Sequence, residues 1–395
     1  MSRIGKRVVA LVVAVMLGTS GIAFASGIGG SCTKAGAKAT ITVKGKRTQV
    51  VCTRVKNQLI WVAVAAKTTE VASLGPNPNY ELLAAAVAAN EGSCMVVQEG
   101  GKIVGEWYWN GRTPATLSEG FSTMKSMAAT LIGIAQTQGK LNINQKASDF
   151  ITEWKGTSSE SITIKQILSN SSGRAYDDVD TITLALKSNV EPYVLSRGQE
   201  APPGTTWEYN GTAIQVIETI LERAIKGSVK AFAQTYLLKP LDMKAELTTD
   251  LAGNVYVVAF WQTSCRDMAK LVQLYLQNGK WNGVQLVSEA FVREALTSST
   301  ELNAAYGYLW WLNRAGTWMT PGNTRKLSGP PHKSAPLDVF WASGACGQIA
   351  AGFPSQNLVV TYMRTKTIFD FLSCSSDSQA NALNGLVGKI LAKIK

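Results

Sequence analysis

Apolar and polar positions repeat along this chain with two different periods, and the order in which the periods change predicts its architecture. Strand-like runs at residues 94–98 and 102–109 are joined by Gly100 and Gly101 as a hairpin turn. A helix-like run rich in Ala, Ile and Leu follows at residues 127–138. Residues 161–304 then carry a mostly helical pattern, with runs at 164–168, 213–225, 229–238, 266–277 and 288–296. Strand patterns return at 306–312, 339–343, 347–353 and 358–363, and a helical run at 378–394 closes the chain. Strands, a helical block and strands again imply an α+β fold: one sheet split by a mostly helical insertion.

The front of the chain has a different character. Arg3, Lys6 and Arg7 precede an apolar run at 8–17 and then Ala23-Phe24-Ala25, the order of features in a secretory signal peptide cleaved after Ala25. That run is too short to span a bilayer, and no later segment is long enough, so a secreted, periplasmic or cell-surface protein is expected. Residues 26–66 hold seven basic residues and no acidic one, and Cys32 and Cys52 bracket alternating segments. This predicts a small basic β module stapled by a disulfide that would contribute roughly 3 kcal/mol. Residues 67–79, rich in Pro, Gly and Asn at their end, read as a linker to a main domain at 80–395.

With 395 residues and 46% hydrophobic content, the chain can bury a substantial core. Ten of its twelve excess positive charges fall in the first 66 residues, so the main domain lacks the basic face of a nucleic-acid binder. The module suits anionic cell-wall polymer or lipid head groups, or is a solvated face with no partner.

The candidate chemistry centres on Ser122 and Lys125, which project from one face of a helix three residues apart. A serine hydroxyl needs a base, and a lysine amine serves only if burial or charge lowers its pKa. Ser31 and Lys34 have the same spacing, but in a segment without helical pattern. His332 is the single histidine, and Ser122 lacks the second glycine of a G-x-S-x-G elbow, so a Ser-His-Asp triad is not expected. Neither a His pair nor an Asp/Glu cluster at ligand spacing is present, and no metal or other cofactor is called for. Cys94, Cys265, Cys346 and Cys374 allow up to two further disulfides.

The S-x-x-K pair is followed by Pro203 to Gly211, containing Tyr209, and by Trp341-Ala342-Ser343-Gly344-Ala345-Cys346-Gly347. In this order the three stretches resemble the β-lactamase-like serine hydrolase family, the fold of serine β-lactamases and penicillin-binding proteins. The resemblance covers about residues 80–395. With the Tyr-Gly-Tyr-Leu-Trp-Trp stretch at 306–311, it is most similar to the branch of nylon-oligomer (6-aminohexanoate-dimer) hydrolases and related esterases. It implies an acyl-enzyme on Ser122, Tyr209 as a general base whose phenolate Lys125 favours, and an oxyanion hole from the N–H groups of Ser122 and Ala345. It also implies substrate contacts at Tyr176, Asp177, Gln262, Ser343 and Gly344, with Trp207, Trp310, Trp311 and Trp341 available to apolar acyl groups. Ala342 stands where the family commonly has the lysine of K-T-G, and Gly211 where it has the asparagine of Y-x-N, a role Asn210 would fill in part. The substrate expected is a small amide or ester. A D-amino-acid peptidase or carboxypeptidase, a β-lactamase and a catalytically silent wall-binding protein are the alternatives.

Overall fold

The structure, a computed structural model, describes residues 34, 35, 37–43, 46–55, 58–63, 78–176, 180–322 and 325–367. The chain divides into two compact units, Met1–Lys67 and Thr68–Lys395. The expected signal peptide, Cys32, Asp177, Cys374 and the closing helix lie outside the described residues.

In the first unit three strands, β1 (Lys38–Val43), β2 (Lys46–Val55) and β3 (Gln58–Ala63), pair antiparallel in that order. Cys52, at mid-strand opposite Trp61, is buried and disulfide-bonded.

The second unit begins with α1 (Pro78–Ala89), which takes the last two residues of the expected linker into a helix with Pro at its start. Proline is tolerated there because the first-turn N–H has no helical partner. Next come β4 (Gly92–Glu99) and β5 (Lys102–Tyr108), then the two-residue β6 (Ser118–Glu119), and α2 (Met124–Thr137). The insertion contains α3 (Gly211–Ile225), β7 (Glu246–Leu247), β8 (Trp261–Thr263) and α4 (Cys265–Leu276). The chain then returns through β9 (Trp311–Leu312), β10 (Phe340–Gly344), β11 (Gln348–Phe353) and β12 (Leu358–Arg364).

Six strands form one antiparallel sheet in the order β9-β10-β11-β12-β4-β5. The four returning strands β9 to β12 therefore add to the edge of the first hairpin, and the chain between β5 and β9 is an excursion from one sheet. β11 and β12 are buried along their whole length, as continuous apolar strands covered on both faces are. α4 lies across β11, β12 and β4, and fits closely because Gly352 leaves room: a Cβ there would come within 2.9 Å of Val272. The expected strand over 306–312 is confined to Trp311–Leu312, because Leu309 takes a left-handed φ of +56° that no regular strand allows. The run expected at 229–238 is a short helix, Val229–Ala233, continued as a π-turn at Gln234–Leu238.

Two contacts fix the insertion to the sheet. Cys94 at the start of β4 is bonded to Cys265, the first residue of α4, across a sequence separation of 171. Beside it Arg266 holds Glu106 of β5 with two hydrogen bonds of 2.7 and 2.5 Å. A loop that long contributes at most about 5 kcal/mol in the chain-entropy model. Cys94→Ala/Cys265→Ala should therefore lower unfolding free energy by about 2 to 5 kcal/mol, read from guanidinium midpoints without reductant.

Candidate active site

Ser122 belongs to a single 3-10 turn, Phe121–Thr123, that leads from β6 into α2. The approach is tight. A Cβ on Gly120 would sit 2.1 Å from Trp261 Nε1, so glycine is needed for the indole to lie beneath the turn. That indole donates to Thr123 Oγ1 (3.0 Å), and Thr123 Oγ1 donates to the Gly120 carbonyl (2.7 Å), closing the turn on itself. Phe121 has φ +48°, the left-handed region that bulky residues avoid. Phe121 and Thr123 are buried on either side, while Ser122 is half-exposed.

One turn on, Lys125 is 2% exposed. α2 is apolar and buried on every side from Met124 to Ala135, so the lysine amine lies in a dry environment. Its Nζ donates to Ser122 Oγ (2.9 Å) and to the carbonyl of Val258 (2.8 Å). Desolvation brings its pKa from 10.5 down to about 7. The same Nζ lies 4.9 Å from the centroid of the Tyr209 ring, and the Tyr209 hydroxyl is hydrogen-bonded to Ser122. The structure thus brings Ser122, Lys125 and Tyr209 together from three separate stretches of sequence.

The protonation states differ from the expectation of a tyrosine phenolate. Burial pushes Tyr209 up to about 12, the bond to Ser122 offsetting only part of that shift. At neutral pH Tyr209 keeps its proton, and Lys125 is the group whose basicity is tuned to the working range.

An aromatic wall extends from Tyr209. Trp311 stacks on it at 6.0 Å, Trp341 stacks on Trp311 at 6.4 Å, and Tyr306 and Trp207 meet these rings edge-on. Trp310 does not join them. It faces the other way, against Tyr275 (4.7 Å) and Phe340 (5.3 Å), and is fully buried in the core. His332 packs on Trp341 at 5.0 Å, and burial lowers its pKa, so it is neutral and part of this wall.

The end of β10 meets the nucleophile turn directly. A Cβ on Gly344 would be 2.5 Å from the Gly120 carbonyl and 3.2 Å from Phe121 Cβ. Gly344 is therefore required by the turn behind it. Among the described residues β9 pairs only with Phe340 and Trp341, and no strand pairs with β10 beyond them on that side. Ser343 and Ala345 are half-exposed there, and Ala342 is buried. Cys346 follows with φ +61° and is disulfide-bonded.

Other expected residues have different duties. Asn210 does not act for the missing asparagine: its Oδ1 accepts from Ala213 N (2.9 Å) as the N-cap of α3, and its Nδ2 donates to the carbonyls of Arg174 and Ala175 (3.0 Å each). That bond pair holds the segment leading to Tyr176, which is half-buried. Gln262, half-buried, donates from Nε2 to Glu119 Oε2 (3.0 Å). Glu119 and the Val258 carbonyl were not anticipated: a main-chain acceptor has no residue type to betray it, and Glu119 has no motif spacing. Among the described residues no group of three His, Cys, Asp or Glu could hold a metal ion, and no helix is long and apolar enough to cross a membrane.

Comparison with known proteins places the fold and the family. The 6-aminohexanoate-dimer hydrolase of Paenarthrobacter ureafaciens is 24% identical over 250 residues, which take in 55% of this chain and 63%, less than two thirds, of that protein. Among solved structures, a penicillin-binding protein homologue from Caulobacter crescentus superposes with a TM-score of 0.59 at 15% identity, covering 75% of this chain and 94% of that one. A class C β-lactamase from Rhodobacter sphaeroides gives 0.56 at 16% identity, covering 81% and 100%. The beta-lactamase family model matches residues 81–373, well over half of the sequence and the whole of the six-stranded sheet, and the chain belongs to that family of serine hydrolases.

Proposed function

We propose that the protein is an exported serine hydrolase that cleaves amide or ester bonds through an acyl-enzyme on Ser122. The observation that carries this reading is the buried Lys125 amine, 2.9 Å from Ser122 Oγ and lowered to about 7 by desolvation. In its neutral form the amine accepts the Ser122 proton while Oγ bonds to the substrate carbonyl carbon. The carbonyl oxygen becomes an oxyanion held by the N–H groups of Ser122 and Ala345. Tyr209, protonated, gives its proton to the leaving oxygen or nitrogen as the scissile bond breaks. The proton taken by Lys125 then passes to Tyr209, whose ring lies against the amine, and restores the phenol without involving the acylated Ser122 oxygen. Water then attacks the acyl carbon, giving up a proton by the reverse route, and Ser122 regains its hydrogen. The similarity to the 6-aminohexanoate-dimer hydrolase of Paenarthrobacter ureafaciens supports a small amide or ester as substrate.

The sign of the pH dependence follows from Lys125. Below about pH 7 the amine is protonated and cannot accept, so kcat/KM for a neutral ester should rise with pH and level off above about 7. Ser122→Ala and Lys125→Arg, the latter permanently charged, should each lower kcat roughly a thousandfold or more. Tyr209→Phe should cost about a hundredfold to ten-thousandfold. His332→Ala should leave turnover of a nitrophenyl ester nearly unchanged. A folded His332→Ala protein without activity would refute the assignment, as would a wild-type protein that a fluorescent phosphonate fails to label at Ser122.

Substrate choice follows from Ala342, which offers no cation at the strand position where relatives carry lysine. A charge-assisted hydrogen bond to a substrate carboxylate is worth about 1.5 to 3 kcal/mol, or roughly tenfold to a hundredfold in kcat/KM. Neutral esters and amides lose no such contact, and the wall of Tyr209, Trp311 and Trp341 suits apolar acyl groups. A short-chain nitrophenyl ester should be turned over with higher kcat/KM than a cephalosporin. The reverse ranking would show another residue taking the lysine's place.

The basic module at 26–66 is assigned to retention on anionic cell wall. Deleting it should leave turnover unchanged and weaken pull-down on wall material in low salt, the difference fading as salt shortens the Debye length. Equal retention with and without the module would identify a solvated face.

A further inference from the structure

Two bulky residues near the site, Phe121 and Phe260, hold left-handed φ values of +48° and +65°. Such backbone is costly for phenylalanine and persists only where surrounding contacts impose it. Each lies next to a group the reaction uses. Phe121 immediately precedes Ser122, and Phe260 lies two residues beyond Val258, whose carbonyl anchors Lys125 Nζ. The Glu119 carboxylate is 9% exposed and sits between the two segments. Its Oε1 accepts from Phe121 N (2.9 Å) and its Oε2 accepts from Gln262 Nε2 (3.0 Å), while the Phe260 backbone N–H lies close enough to favour its charged form. Short strand pairing reinforces the junction, since Glu119 of β6 lies opposite Gln262 of β8.

We propose that Glu119 is a positioning residue for acyl transfer: one buried carboxylate clamps the two left-handed phenylalanine amides and so fixes Ser122 Oγ and the Val258 carbonyl on either side of Lys125. The inference rests on the assignment of Ser122 and Lys125 to catalysis. The need for a carboxylate is chemical. A backbone N–H offers only a donor, and a side chain that meets two such donors and an amide nitrogen must present acceptors at both ends. Glutamine has the same shape but carries a donor at one end, so the isosteric change breaks the clamp without emptying the space. A role in packing alone would tolerate it. Burial opposes ionisation here and lifts the carboxyl to about 7, although all three donors favour the charged form.

The test is Glu119→Gln, read in two ways. Hydrogen exchange of the Phe121 and Phe260 amides, followed by mass spectrometry of the surrounding peptides, reports the clamp whether or not the protein turns over any ester. Exchange should quicken at least about tenfold at both. Turnover reports the consequence. kcat for a neutral ester and the rate of phosphonate labelling at Ser122 should fall about ten- to a hundredfold, with KM little changed, because misplacement by an ångström has that effect. Phe121→Gly in the Glu119→Gln background supplies a second variant: glycine takes positive φ without help, so the double variant should recover folding and turnover relative to Glu119→Gln. Unchanged exchange in Glu119→Gln would overturn the clamp. Quickened exchange with kcat within twofold of wild type would overturn its positioning role, as would a double variant no better than the single one. If wild type itself neither labels nor hydrolyses, the catalytic assignment fails, and with it the positioning role, while the exchange data still decide whether the clamp exists.

Discussion

The removal of the Lys125 amine from water is the constraint on which the rest of the main unit depends. An amine buried without a carboxylate partner loses its proton readily, and any ion pair formed with it would raise its pKa and undo its use as a base. The surroundings respect this. α2 is apolar on every side, and the acceptors given to Nζ are a hydroxyl and a main-chain carbonyl, both uncharged. The nearest ring, Tyr209, presents its face to the amine and is itself kept protonated by burial. Glu119 takes the N–H groups of Phe121 and Gln262 as its partners, and burial lifts its own pKa to about 7.

Keeping the Lys125 amine dry while leaving Ser122 half-exposed demands a sharp change of environment within one helical turn. The chain achieves it with unusual backbone. Gly120 leaves room for the Trp261 indole beneath the turn, Gly344 lets the end of β10 reach the Gly120 carbonyl, and Phe121 turns left-handed so that the next residue emerges at the surface. Leu309, also left-handed, offers its carbonyl to Ser126 Oγ at 2.7 Å and steadies α2 from the opposite side. Strain at these points is sustained by the buried strands β11 and β12 and by α2, which is buried from Met124 to Ala135.

What could be read from the sequence is what repeats or has a characteristic spacing. The strand runs, the long helices and the Ser122 and Lys125 pair carry periodic or motif signals, and Tyr209 stood out by its neighbours. α1 did not, because an alanine-rich helix with apolar residues all round shows no stripe. Trp310 and Trp311 are adjacent and chemically alike, yet the left-handed Leu309 sends one into the core and the other to the site wall. Asn210 was read as filling in part the role of the asparagine of Y-x-N because it lies beside the tyrosine, whereas helix geometry gives it the N-cap of α3. The direction of proton affinity was also hidden: phenol and amine both answer to burial, in opposite senses, and only the three-dimensional packing decides which one titrates near neutrality.

The opposed glycines have a consequence for how such a site diversifies. With Gly120 and Gly344 each occupying space that any Cβ would invade, neither position is open to drift, and a change at one cannot be absorbed by the other. The floor of the site is therefore frozen. Variation in what the enzyme accepts has to accumulate instead in the ring-bearing positions around Trp311 and Trp341. A lineage carrying this floor would be expected to change its diet freely while its chemistry stays the same.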